Sequence, residues 1–187
     1  MTRWPAPRLL PPDPARMSPR QREVHDAIAA SPRGGVRGPL AVWLHRPELA
    51  HRAQELGRYC RYDSALPPRL SELAILTIAR AWDAEYEWHA HKPHALAAGL
   101  SPALIEALRT GAPLPYADAA EEVTHRVTES LLATRDLPDD LYARAEAVLG
   151  RDRLVDLVGV IGYYILIAVT LVTFRISPPP DAPEELT

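Results

Sequence analysis

Through the middle of the chain, apolar residues recur at three- and four-residue spacing, interrupted at intervals by proline and glycine. Each interruption opens or closes a helix. Ser18-Pro19 carries the N-cap and first-turn pattern and predicts a helix to about Ala30. A Gly/Pro loop from Ser31 to Pro39 follows, then a short apolar segment from Leu40 to Leu44. Further helices are predicted from Pro47 to about Tyr62, from Pro67-Pro68 to about Trp82, and from about Ala84 to Ala98, where Gly99 ends the pattern. Ser101-Pro102 repeats the cap, and that helix stops at Gly111. Two more are expected at about 117–134 and 138–149, the second closed by Gly150, and a last from about Asp152 to Arg175. No alternating run is long enough for a strand, so the fold class is all-α.

The last helix is apolar on every side. Leu157 to Phe174 is 18 residues without a charge, about the length of a bilayer core. Gly159, Gly162, Thr170 and Thr173 lower its hydropathy, and Tyr163-Tyr164 sit at its centre rather than at an interface. The same pattern suits the central helix of a soluble bundle.

Composition narrows the function classes. With 187 residues and a net charge of −3, the chain suits one domain with a sizeable core and shows no cationic field for nucleic acid. Lys92 is the only lysine, and no poly-basic run occurs. Cys60 stands alone, which excludes an intramolecular disulfide, a CxxC pair and a multi-cysteine zinc site. Met1-Thr-Arg-Trp-Pro lacks the apolar stretch of a signal peptide, so a cytoplasmic location is expected. Six prolines fall in the first 19 positions and four in the last ten. Residues 1–17 and 177–187 therefore read as extended Pro-rich arms rather than packed structure, around a helical domain at 18–176.

Candidate chemistry is concentrated between Trp82 and Ala95. On a helix, Glu85, His89 and Lys92 cluster with Leu96 on one side and mark a solvent face. The other side carries Glu87, His91 and His94, one turn apart among small alanines, with Trp88 beside them. Pro93 inside this helix removes the donor for the His89 carbonyl. The preceding helix is apolar on nearly every face from Leu70 to Ala81, so it is expected to be buried. Glu72 lies on it with Ile75, Leu76 and Ala79, in surroundings that raise a carboxyl pKa toward the range of a general acid or base. Two helices joined by a tight turn pack antiparallel, which brings Glu72 toward the Glu87/His91 face. Simpler readings stand beside this one. Glu72 can pair with Arg69, Glu87 with His91 as an ordinary i,i+4 pair, and His94 can be a structural histidine. Glu87-x3-His91-x2-His94 can also hold a metal from one face.

The ordered pattern Leu66-Pro-Pro-Arg-Leu-Ser-Glu72-Leu-Ala-Ile-Leu, then Tyr86-Glu-Trp-His-Ala-His91, then Ala95 and Ala98-Gly-Leu-Ser, resembles the carboxymuconolactone decarboxylase family. The likeness spans roughly residues 20–176 and is densest from Leu66 to Ala107. It implies an alkylhydroperoxidase D-like helical bundle whose long apolar C-terminal helix is core, not membrane. It also implies a homotrimer or homohexamer. The peroxidase branch of that fold carries a Glu and then Cys-x-x-Cys-x-x-x-His. With His91 as that His, the two Cys positions fall on Ala84 and Glu87, and the Glu on Glu72. Both sulfurs are absent, so thiol-based peroxide reduction is not expected.

What remains of the resemblance implies a cofactor-free decarboxylase or proton-transfer enzyme acting on a small carboxylated lactone or related ring acid. His91 is then the proton donor, Glu87 its orienting partner, and Glu72 a second acid/base or the group that sets the His91 tautomer. Arg37, in the Gly/Pro loop, is the candidate cation for the substrate carboxylate, or else a solvated loop arginine. His45, Trp88 and Tyr163 are candidate pocket liners. Val172 stands in a stretch where relatives often carry a polar Asn, and the N-terminal arm is longer than in compact decarboxylases. No cofactor, nucleic acid or membrane partner is expected. The competing readings are a metal-dependent enzyme built on the Glu/His cluster and a non-catalytic oligomeric relative.

Overall fold

The computed structural model describes residues 4–186, and the described residues hold α-helices and no strand. In chain order the helices are α1 (Pro19–Ala29), α2 (Gly38–Trp43), α3 (Pro47–Arg58), α4 (Pro68–Ala81), α5 (Glu85–Ala97), α6 (Pro102–Thr110), α7 (Ala119–Thr134), α8 (Asp139–Leu149) and α9 (Arg151–Phe174). Most ends fall where caps and breakers place them. Ser18 and Gln21 form a reciprocal capping box on α1, and Ser101 accepts from the Leu104 N–H at the start of α6. Gly111 closes α6 in the left-handed conformation, where a Cβ would be strained. Two elements depart from the sequence pattern. The Leu40–Leu44 segment belongs to α2, a short helix. The end of α3 loosens into a π-helical turn, Tyr59–Asp63, which alters the direction of the side chains it carries.

Helix α4 is the axis of the bundle. It packs on α5, α6, α7 and α9, and every residue from Leu70 to Ala79 is buried. That burial explains its all-round apolarity, since a helix enclosed by neighbours has no wet face to make polar. One core fills the space between α4, α7, α9 and the N-terminal helices. A second gathers Leu73, Leu76 and Ala79 of α4 with Trp88 and Ala95 of α5 and Leu104, Ile105 and Leu108 of α6. Arg69, in the first turn of α4, forms ion pairs with Glu121 of α7 and with Asp118, the N-cap of that helix, rather than with Glu72. Helix α9 is long and apolar enough to cross a membrane by length and composition, and half of its most apolar window is buried against the bundle. Its Thr170 accepts a hydrogen bond from the buried Trp43 indole at 3.1 Å.

Both terminal arms lack long helices, as their proline content requires, but they are packed against the domain. The Arg8 N–H donates to the Phe174 carbonyl at 2.9 Å, and Met17 is buried. At the other end Glu85 accepts the backbone N–H groups of Glu185 and Leu186 at 2.7 and 3.0 Å. The Glu185 carboxylate takes the Trp88 indole N–H at 3.2 Å and the Lys92 ammonium, while the Arg109 guanidinium donates to the Glu185 carbonyl. Leu186 joins the second core. The α5 face that its polarity marks as solvated is therefore half covered by the chain's own C-terminus. Proline dictates an extended backbone, but the surface that the backbone lies on is a separate matter.

Candidate active site

The short turn between α4 and α5 sets the two helices side by side, and their facing carboxylates converge on one imidazole. His91 Nδ1 is 2.7 Å from Glu72 Oε2 on α4, and His91 Nε2 is 3.1 Å from Glu87 Oε1 one turn earlier on α5. All three side chains are buried. Burial works against charge on His91, but the two carboxylates outweigh it and raise its pKa to about 9. At neutral pH the ring is an imidazolium with one N–H directed at each acid.

The Tyr164 ring stands edge-on to His91 at 5.2 Å, and Tyr163 in turn stands edge-on to Tyr164. Burial, reinforced by Glu87, pushes the Tyr164 phenol well above its ordinary value, so it stays neutral. The His94 ring lies 5.8 Å from His91. Partial burial lowers the His94 pKa, and the Arg61 and His91 charges lower it further against the pull of Glu72.

The imidazolium opens on a cavity of about 760 Å³. His91, Glu87, His94 and Tyr164 line one wall, whereas Glu72 stands behind His91 and outside the lining. Arg33, Arg37 and Arg61 line the cavity from the Gly/Pro loop and the π-helical turn. Pro11 and residues 176–179 bring both terminal arms to its edge. The arginines differ in what they already hold. Arg37 bonds back to its own loop, donating to the Gly34 carbonyl at 3.2 Å. Arg33 reaches the Gln54 carbonyl at 3.4 Å. Arg61 is half-buried with its guanidinium over the Tyr62 ring, and among the described residues no carboxylate pairs with it.

Several residues expected at the site stand where the sequence suggests, and two do not. Glu72, Glu87 and His91 converge, and Arg37 and Tyr163 line the cavity. His45 lies outside it, with Nε2 at 2.8 Å from the Leu10 carbonyl, where it helps seat the N-terminal arm. Trp88 also lies outside. It points away from His91 into the second core, as its position next to Glu87 on the helix requires. Arg33, Arg61 and Tyr164 are cavity residues that the sequence pattern did not assign to the site, and His89, expected on the solvent face of α5, lines the cavity as well. For Arg61 the only local signal is an arginine at the loosened end of a helix, which is common on surfaces as well.

Tyr163 depends on a glycine in α3. A Cβ at Gly57 would stand 2.2 Å from Tyr163 Oη and 2.3 Å from its Cζ, with an Arg33 nitrogen at 2.6 Å. Burial raises the Tyr163 pKa to about 12 despite the neighbouring Arg33 charge. Alanine normally stabilises a helix interior by about 1 kcal/mol over glycine. Here Gly57→Ala is expected to cost about 1–3 kcal/mol in urea unfolding, because the Tyr163 ring and the Arg33 side chain must both shift to admit the methyl group. Adding Tyr163→Phe should not recover the loss, since Cζ remains in the way.

The matched region adds its own information. A family model spans α3 to the middle of α7, with Arg61, Glu72, Glu87 and His91 all inside it. Residues 47–129 match the model of the carboxymuconolactone decarboxylase family. The segment is shorter than the 20–176 span of the resemblance and contains its densest part. Arg33, Arg37, Tyr163 and Tyr164 come to the cavity from outside it. No curated protein matches the chain.

Proposed function

We propose that this family segment works as an acid/base enzyme that decarboxylates, or moves a proton within, a small carboxylated lactone or related ring acid. One observation carries the reading. A buried imidazolium, clamped between two carboxylates, faces a cavity that also holds an arginine with no carboxylate of its own.

Each residue follows from that geometry. Arg61 receives the carboxylate of an anionic substrate, with Arg33 and Arg37 adding positive potential at the wall. If that carboxylate leaves, the C–C bond breaks, CO2 departs, and the electron pair remains on the ring as an enolate. His91 stabilises the negative charge and gives its Nε2 proton to the ring carbon, and solvent later restores that proton. Glu72 stays on Nδ1 throughout and keeps the ring oriented. Glu87 lines the cavity beside Nε2, so it exchanges its hold on that proton with the substrate. With a pKa near 9, His91 enters the cycle already protonated at neutral pH. Tyr164 supplies a neutral wall that excludes water without competing for the proton.

Thiol peroxide chemistry has no counterpart here. Cys60 is buried outside the cavity lining, and burial pushes its thiol above the ordinary range. A metal-dependent reading also lacks support from the geometry. Among the described residues no group of three or more His, Cys, Asp and Glu side chains is arranged to hold an ion.

The test is a panel of carboxylated lactones and cyclic enol acids incubated in D2O. Release of CO2, or uptake of one deuterium at a ring carbon, is the expected result. Arg61→Gln should raise KM by about 10- to 100-fold, in line with loss of a charge-assisted pair. If no ring acid turns over, or if Arg61→Gln leaves KM unchanged on one that does, the reading fails.

A further inference from the structure

We infer that Asp156 of α9 is a positioning residue for the cavity: it clamps the π-helical turn Tyr59–Asp63 so that Arg61 stays on the cavity wall. The inference rests on the reading above, in which Arg61 receives the substrate carboxylate, and it names the group that keeps that arginine in place.

Asp156 takes no part in the proton chemistry, yet it is only 7% exposed. Its two oxygens hold two points of one distant segment. Oδ1 accepts the Tyr59 hydroxyl at 2.7 Å, and Oδ2 accepts the Ala65 backbone N–H at 2.6 Å. Tyr59 is the first residue of the π-helical turn, and Ala65 lies just past its end. Both donors are neutral, and among the described residues no cation pairs with Asp156. Burying a carboxylate without a counter-charge is unfavourable, so this one is held against a real cost. What it maintains in return is the shape of the turn.

That shape decides where Arg61 goes. The turn closes with a Ser64 N–H to Tyr59 carbonyl bond of 3.0 Å, one residue wider than the bond that closes an α-helix. Residues beyond Tyr59 are thereby rotated away from the direction an α-helical continuation would give them. Cys60 enters the core, and Arg61 lines the cavity. The Arg61 guanidinium rests on the Tyr62 ring, 5.3 Å from its centroid, and Tyr62 belongs to the same turn. The place of Arg61 is therefore set by the backbone beneath it. The Arg58–Asp63 ion pair at 3.3 Å also crosses this turn, but it is exposed and contributes little. Asp156 is buried, acts through two short bonds, and anchors both ends of the turn to α9. Coulomb attraction alone gives the opposite sign, because removing a negative charge near an arginine-lined cavity tightens an anion. Loss of the clamp weakens it.

The probe is γ-butyrolactone γ-carboxylate, a saturated lactone acid, titrated calorimetrically into the full chain at neutral pH. Wild type should bind it, and Arg61→Gln should weaken binding by about 10- to 100-fold. Asp156→Asn keeps the side-chain shape but can accept from only one of the two donors, and should weaken binding by about 5- to 10-fold. Tyr59→Phe removes one arm of the clamp from a half-exposed ring and should weaken it by about 2- to 5-fold. It carries the same test if the buried substitution disturbs folding. In an Arg61→Gln background neither change should have a further effect, since both act through that guanidinium. Amide hydrogen exchange at Ser64 and Ala65 should quicken in both variants while that of α4 stays as in wild type. On a ring acid that turns over, both should raise KM and leave kcat within about twofold. Binding to Asp156→Asn as tight as wild type or tighter, or a weakening that adds in full to that of Arg61→Gln, overturns the inference and leaves the role of Arg61 standing. A probe that wild type does not bind, or that Arg61→Gln binds equally well, overturns that role and the inference with it.

Discussion

His91→Ala is expected to abolish turnover of any ring acid the protein decarboxylates and to lower unfolding free energy by about 3–5 kcal/mol at pH 7. The two effects share one cause. Glu72 and Glu87 are buried on either side of the imidazolium, and without it they face each other across a dry gap. One must then take up a proton or draw in water. A lost proton donor alone would leave stability untouched, so the paired loss reports the clamp itself. The pH profile gives an independent reading with a fixed sign. The pKa of His91 is raised in the folded chain from 6.5 to about 9. Its stabilisation is therefore fully present below about pH 6.5 and is lost as pH rises through about 9. Wild-type stability should fall by about 3 kcal/mol across that window, whereas the alanine variant, whose facing acids must share a proton, should begin to lose stability at lower pH, from the ordinary carboxylate range upward. Urea unfolding at half-unit pH steps measures both. A flat wild-type profile would mean that the carboxylates do not hold a charge between them.

The second large effect concerns the frame around the site. Arg69→Met is expected to cost about 3 kcal/mol by urea unfolding. Its guanidinium joins α4 to α7 through the nearly inaccessible Glu121 and through Asp118, at 2.7 Å for the latter. Glu121 keeps one other donor, the Ala117 N–H at 2.7 Å, and Asp118 keeps its cap on the Glu121 N–H. Neither neutralises a buried carboxylate. Adding Glu121→Gln to Arg69→Met should therefore recover more than half of the loss, because an amide is far less costly to bury unpaired than a charge. If the double variant is no better than the single, Arg69 acts through its packed stem instead.

Much of the fold was legible along the chain because its signals are local. Ser18-Pro19, Ser101-Pro102, Gly111 and Gly150 act on backbone groups within one turn, and helix ends fall close to the predicted positions. The unbroken apolarity of Leu70–Ala79 announced a helix enclosed on all sides. The Glu72–His91–Glu87 cluster was also within reach. Helical spacing puts Glu87 and His91 on one face, and a tight turn brings α4 alongside. The other residues had no such signal. Arg33 and Arg61 reach the cavity from a loop and a π-helical turn, and nothing near them in sequence says where they point. Glu85 and Lys92 look like a solvated face until the C-terminus returns across them. Trp88 reads as a site neighbour on a helical wheel, yet the second core claims it.

The division has a physical basis. By itself the sequence determined the helices, the buried axis and the pairing of an imidazole with two acids, because propensity, capping and periodicity act over a few residues. Only the tertiary structure decided which arginines line the cavity beside His91, where the proline arms lie, and which stripe of α9 stays uncovered. Those outcomes depend on how segments distant in the chain compete for the same surface, and no short window of residues records that competition.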